Sequence, residues 1–100
     1  MGLTKTAAVE LGEAKGIRIN CICPTTVNTP MAHADGGVFM IEGEKLLVPS
    51  NRICEPEECA AMIHFLAAED CGFVSGQSIM IDGGITSGMT ERAFKKLLGE

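Results

Sequence analysis

The sequence predicts the α/β class, with elements in the order helix, strand, long loop, helix, strand, as in one half of a parallel sheet covered by helices. Three observations lead there. Leu3, Ala7, Leu11 and Ala14 recur at helical spacing. Ile17 to Cys23 is a β-prone run, and a second helical stripe from Pro56 to Ala68 precedes another such run, Ser78 to Ile81. A helix connecting two strands in this way makes them parallel, with a right-handed crossover.

The first helix is expected over Gly2 to Ala14, stopping at Lys15 with Gly16 in the place of a left-handed C-cap. Ile17 to Cys23 follows as a strand ended by Pro24, whose missing N–H cannot join a ladder. Its near-continuous apolarity after Asn20 suits a strand covered on both faces. From Thr25 to Arg52 the pattern loses regularity. Thr29-Pro30, Gly36-Gly37, Gly43 and Pro49-Ser50-Asn51 punctuate short apolar pieces such as Val38 to Ile41, so the expectation is a long loop with helical turns at most. Such excursions are binding loops or lids, or else plain surface insertions.

Pro56 sits where a first helical residue belongs, and Glu57 and Glu58 occupy the electropositive first turn. Cys59, Met62, Ile63, Leu66 and Ala67 form one stripe behind them. Asp82-Gly83-Gly84 closes the second strand. Ala93, Phe94, Leu97 and Leu98 predict a short last helix from Thr90 to Leu98, or a frayed tail.

One hundred residues without a repeat, linker or low-complexity tract form a single segment, residues 1–100. A composition 46% hydrophobic and 21% charged excludes a disordered chain, which lacks the apolar surface that offsets conformational entropy. The net charge of -5, with eight Lys and Arg scattered along the chain, speaks against a nucleic-acid partner and an anionic membrane. No apolar run approaches the roughly 18 residues of a membrane span, and no basic start precedes an apolar block, so a soluble cytoplasmic protein is expected.

Cys21, Cys23, Cys54, Cys59 and Cys71 are an odd number, mostly inside apolar runs, and are expected to be reduced core residues. A zinc site from Cys21, Cys23, His33 or His64 is the sharper alternative. C-x-C alone is a weak signal, and Cys59 and His64, five apart, point in different directions on a helix, so no metal is expected. Neither histidine has a partner spaced as nucleophile and base, and no G-x-G-x-x-G follows a strand.

The order of motifs resembles the C-terminal part of the short-chain dehydrogenase/reductase family. Gly2-Leu3-Thr4-Lys5-Thr6 with Val9-Glu10-Leu11 is similar to the later turns of the helix after that family's active-site Tyr and Lys, and Gly16-Ile17-Arg18-Ile19-Asn20 to its "G-I-R-V-N". Pro24-Thr25-Thr26-Val27-Asn28-Thr29-Pro30-Met31 resembles "P-G-x-V-x-T-P-M", and Glu55-Pro56-Glu57-Glu58 resembles "x-P-E-E". Phe73-Val74-Ser75-Gly76-Gln77 with Asp82-Gly83-Gly84 is similar to the closing "F-V-T-G-Q … D-G-G". These stretches, in this order, cover essentially the whole chain.

The resemblance implies the C-terminal half of a Rossmann-type, doubly wound parallel sheet. It implies hydride transfer between NAD or NADP and a small-molecule alcohol or ketone, in a homo-oligomer, dimer or tetramer. The backbone of Val27 and the hydroxyl of Thr29 would then bind the nicotinamide carboxamide, with Pro24 and Thr25 along the ring. Read without it, Thr29-Pro30 is a helix start, Thr as N-cap and Pro as first residue. Met31, Phe39 and Met40 would line a substrate pocket or merely anchor the loop.

Thr25 departs from the family pattern, placing a β-branched side chain where the family has Gly. The family's Gly-rich phosphate turn, its Ser and its Tyr-x-x-x-Lys would fall before position 1, in an N-terminal cofactor-binding half that is absent, and the sequence contains no tyrosine. No residue is therefore assigned a catalytic role. The expectation is part of a longer parent whose internal methionine is Met1, or a truncated product, inactive alone, that serves in oligomerisation or interaction.

Overall fold

The computed structural model describes residues 1–100 and is α/β, with four helices and a two-stranded parallel sheet. The helices are α1 (Gly2–Lys15), α2 (Gly37–Leu47), α3 (Pro56–Ala67) and α4 (Glu91–Leu97); the strands are β1 (Cys21–Pro24) and β2 (Ser78–Ile81). The N–H of Cys21 donates to the Gln77 carbonyl at 2.9 Å and that of Thr25 to the Ile81 carbonyl at 3.3 Å, a constant offset that only parallel strands keep. The chain divides into two compact units: Met1–Cys23 with Glu57–Met80, and Pro24–Pro56 with Ile81–Glu100.

In the first unit, α1 ends as expected. Gly16 takes φ 68°, its N–H donates to the Gly12 carbonyl, and that of Ile17 donates to the Leu11 carbonyl, the paired closure that a left-handed residue permits. The stripe differs from expectation. Leu3 is exposed, while Thr4, Ala7, Ala8 and Gly12, small residues at the same spacing, are the half-buried ones. Small side chains let a helix lie close to its neighbour, which the large apolar residues do not. On α3, Cys59, Met62 and Leu66 are half-buried, and Ile63 and Ala67 face out.

The first strand is shorter than expected and shifted, Cys21–Pro24 in place of Ile17 to Cys23. Side chains take over the pairing before it. Ser75 Oγ accepts from the Ile19 N–H, Asn20 Nδ2 donates to the Val74 carbonyl, and Asn20 Oδ1 accepts from the Gln77 N–H. Pro24 lies within the strand because Cys21 and Thr25 aim their N–H groups at β2, so the Pro24 nitrogen between them points away and no ladder bond is lost. β1 is half-buried from Cys21 to Cys23 and exposed at Pro24, short of the burial that cover on both faces would give. Arg18 forks onto the carbonyls of Val74 (3.0 Å) and Ala68 (3.2 Å), tying the segment after α3 to the approach of β1.

In the second unit, the segment expected to be a loop contains a one-turn 3₁₀ helix, Pro30–His33, and then the 11-residue α2. Glycines misdirected the reading. Gly36, left-handed at φ 80°, starts α2, and Gly37 is buried at its first position because its backbone runs against the Ala32 carbonyl. Ile41 and Val48, 4% and 2% exposed, join Ile53 and Ala93 in the small core of this unit. The last helix forms as expected: Thr90 caps it by accepting from the Ala93 N–H at 3.1 Å and donates its own proton to the Leu46 carbonyl. Arg92 donates to the Val48 carbonyl at 2.7 Å, satisfying the open end of α2.

The turn after β2 is held by Asp82, whose carboxylate accepts from the Gly84 N–H (3.0 Å), the Thr86 N–H (3.3 Å) and the Thr86 hydroxyl (2.5 Å). The Thr86 hydroxyl and the Gly84 N–H hold its pKa below the ordinary carboxylate value. Because the folded form is the weaker proton binder, its contribution is present above the unfolded value of about 3.9 and lost as pH falls through the lower folded one. Asp82→Asn is expected to flatten that acid limb. Urea midpoints at about pH 6 and about pH 3 check it, an unchanged difference between them counting against this role.

Candidate functional site

β1 delivers the chain into Pro24 to Thr29, at the carboxyl end of a parallel strand, where open α/β sheets bind their ligands. All four predicted site residues lie in this stretch. Pro24 is exposed at the strand end, and Thr25, Val27 and Thr29 are half-buried. Thr25 stands outside the positive-φ region, so the backbone there accommodates a β-branched residue without strain.

The stretch is pinned from two sides. Thr26 donates both its N–H (3.3 Å) and its hydroxyl (3.0 Å) to Glu44 Oε1 on α2. Val27 forms a parallel bridge with Cys54: the Cys54 N–H donates to the Thr26 carbonyl at 3.2 Å, and the Asn28 N–H to the Cys54 carbonyl at 2.7 Å. In such a bridge the central residue turns its own N–H and C=O to the opposite side. The Val27 N–H thus faces away from Cys54 and meets no acceptor in the protein, while its carbonyl accepts from the Thr29 hydroxyl at 3.3 Å.

Thr29 meets the expected helix start in its position but not in its side chain. The residue occupies the N-cap position of the 3₁₀ helix with Pro30 as first residue, and its carbonyl accepts from the Ala32 N–H, yet its hydroxyl caps nothing and turns back to Val27. A donor at Val27 N–H and acceptors at Val27 O and Thr29 Oγ1 therefore line one edge of the chain. That pattern complements a primary carboxamide, which presents one carbonyl and one NH₂.

Sequence reasoning missed the polar residues behind this edge. Asn28 Nδ2 donates to both Glu55 oxygens at 3.1 and 3.2 Å, and Asn28 Oδ1 lies 2.6 Å from His33 Nε2. His33, without a partner on spacing alone, has one through the turn Pro30–His33. Glu44 also carried no signal, being eighteen positions from Thr26; its second oxygen, Oε2, is buried without a partner. Met31, Phe39 and Met40 are exposed and do not anchor the loop, a task that falls to Ile41 and Val48. No disulfide joins any of the five cysteines, and only Cys71 is buried, so the expectation of core residues holds for Cys71 alone. The other four are half-buried.

A small parallel sheet flanked by helices, with a polar edge at the carboxyl end of its first strand, belongs to the Rossmann-like α/β folds. Residues 1–86 match the family model described as enoyl-(acyl carrier protein) reductase. The chain is 43% identical over 88 residues to short-chain dehydrogenase fogB of Aspergillus ruber, covering 86% of this chain and 32% of that protein. It is 43% identical over 84 residues to the acetoacetyl-CoA reductase of Rhizobium meliloti, covering 84% and 34%. Among solved structures it is similar to a Burkholderia thailandensis oxidoreductase of the short-chain dehydrogenase/reductase family, at TM-score 0.81 and 28% identity, over 98% of this chain and 38% of that one. The chain belongs to the short-chain dehydrogenase/reductase family and spans about a third of the length of the curated relatives it matches. None of its helices is long and apolar enough to cross a membrane.

Proposed function

We propose that these 100 residues are the C-terminal part of an NAD(P)-binding Rossmann domain, and that they hold the nicotinamide end of the cofactor in a cytoplasmic oxidoreductase acting on small-molecule alcohols or ketones. The observation that carries this reading is the unpartnered Val27 N–H beside Thr29 Oγ1. The Val27 N–H would donate to the carboxamide oxygen, and Thr29 Oγ1 with the Val27 carbonyl would accept from its NH₂. Pro24 and Thr25 would lie along the ring. NAD or NADP, when bound, supplies the hydride chemistry; this chain's contribution is orientation, which fixes the ring face presented to substrate. Glu44 and the Cys54 bridge keep the edge in place by binding Thr26 and Asn28. Membership of a family of dehydrogenases and reductases supports the reaction class.

A second reading, an interaction module without catalysis, is favoured by the exposed apolar residues Leu3 and Val9 on α1 and Ile63 and Phe65 on α3, faces suited to a homodimer or homotetramer. The two are separated by saturation-transfer NMR with nicotinamide mononucleotide, which works whatever the assembly state. Transfer is expected to the ring protons, and Thr29→Val should weaken binding about tenfold, one hydrogen bond's worth. Thr6→Val on the exposed face of α1 should change nothing. Equal transfer in wild type and Thr29→Val overturns the carboxamide site and leaves the interaction module.

A further inference from the structure

We propose that Asp35–Gly36 is a modification site at which the folded chain converts itself to isoaspartate, while Asp82–Gly83 is held against the same change. These are the two Asp-Gly steps of the sequence. Such a step is reactive because glycine, without a Cβ, leaves its nitrogen open to the preceding carboxyl. Asn20, Asn28, Asn51 and Asp70 are followed by Cys, Thr, Arg and Cys, whose side chains shield that nitrogen.

The two steps sit in opposite surroundings. Asp35 and Gly36 are both exposed in the turn that leads into α2, and the Asp35 carboxylate meets no donor in the protein. The Gly36 N–H is unbonded between those of Ala34 and Gly37, which donate to the Met31 and Ala34 carbonyls. Nothing lies within 4 Å of a Cβ position at Gly36, so the turn has room to close a ring. Asp35 also stands at φ 41°, the left-handed region in which its Cβ crowds the backbone. Isomerisation takes that Cβ into the backbone itself and so relieves the crowding.

Asp82 is restrained on both counts. Its carboxylate accepts from the Gly84 N–H, the Thr86 N–H and the Thr86 hydroxyl, bonds that favour the ionised and fixed form. Ring closure needs a carboxyl that is protonated and free to turn. The neighbouring Gly83 is packed as well, with Val48 Cγ1 2.7 Å and Ser50 Oγ 3.4 Å from its Cβ position.

The steps balance. The Gly36 nitrogen attacks Asp35 Cγ, the C–N bond forms, and the carboxyl OH leaves with the amide proton as water, giving a cyclic imide. Water then adds to the main-chain carbonyl carbon of Asp35 and breaks its bond to the Gly36 nitrogen, so the chain now runs through Cβ and Cγ and a new α-carboxylate is freed. One water is lost and one regained. That carboxylate is the group esterified by isoaspartate methyltransferases that use S-adenosylmethionine, so the aged chain is a substrate for this class of enzyme. The added backbone atom falls just before Gly37, whose contact with the Ala32 carbonyl sets the start of α2.

The whole chain, kept warm in neutral heavy-oxygen water and then digested after Lys and Arg in ordinary water, separates the sites: Asp35 falls in residues 19–45 and Asp82 in residues 53–92. The 19–45 peptide should gain one heavy oxygen, split into a second chromatographic peak and accept a methyl group from isoaspartate methyltransferase, more than about tenfold faster than 53–92. Asp35→Glu, which would have to close a larger ring, should silence it. Thr86→Val, which releases the Asp82 carboxylate, should speed 53–92 by about tenfold, the scale of one hydrogen bond to a charged group. In urea the two peptides should react at similar rates. Equal rates in the native buffer, undiminished labelling of 19–45 in Asp35→Glu, no gain in Thr86→Val, or the same preference in urea would each overturn the proposal.

Discussion

In dilute buffer the 100-residue chain is expected to sediment well above its 10.5 kDa monomer mass and to bind a hydrophobic dye. Five apolar residues are buried: Ile41, Val48, Ile53, Cys71 and Ala93. Against them Leu3, Met31, Phe39, Phe73 and Leu97 are each at least three-quarters exposed. At about 25 cal/mol per Å² of apolar surface, covering even a few of these side chains outweighs what so small a core supplies, so association is the lower free-energy state. The sheet adds to this tendency, because two short strands leave unpaired backbone groups on both outer edges. Sedimentation velocity over a range of concentrations checks it. A compact monomer with one cooperative thermal transition would show that the buried residues suffice.

Gly37→Ala is expected to destabilise the second unit by about 3 kcal/mol, the upper range for overpacking a filled site. A Cβ at this position would stand 1.9 Å from the Ala32 carbonyl oxygen and 2.8 Å from its carbon. Both are backbone atoms, so no rotamer change relieves the overlap. The start of α2 must instead move off the turn Pro30–His33, breaking the bond from the Gly37 N–H to the Ala34 carbonyl (2.9 Å). Gly43, on the same helix, has nothing within 4 Å of its own Cβ position. Gly43→Ala should therefore raise stability, by about 1 kcal/mol of helix propensity. Hydrogen exchange of the α2 amides reads both variants, and effects of equal sign would refute the assignment of Gly37 to a close approach.

The candidate edge was legible in part. Pro24, Thr25, Val27 and Thr29 lie within six consecutive residues, so a motif reports them together, and the strand end that carries them follows from one β-prone run and one proline. Glu44, Glu55 and His33 could not be found in that way. Each meets the stretch through the path of the chain: Glu44 because α2 returns its side chain to Thr26, Glu55 because Cys54 bridges to Val27, and His33 because a single turn at Pro30 brings it back on Asn28. The same limit explains α2. Gly36, Gly37 and Gly43 weigh against a helix by local propensity, and only the contact with Ala32 shows that Gly37 is there to admit one.

By itself the sequence determined what local chemistry dictates: the end of α1 at Gly16, the span of α3 from Pro56, β2 at Ser78–Ile81, the parallel pairing that a helical connection enforces, and the family. The tertiary structure alone decided which face of α1 is inward, where β1 begins, which hydroxyl acceptor Thr29 chooses, and which carboxylates hold the site. The physical reason is range. Caps, turns and hydrophobic periods are settled within about four residues along the chain. A shared carboxylate or a carbonyl pressed against a glycine depends on two segments meeting, and hydrogen bonds of comparable strength are open to each group until they do.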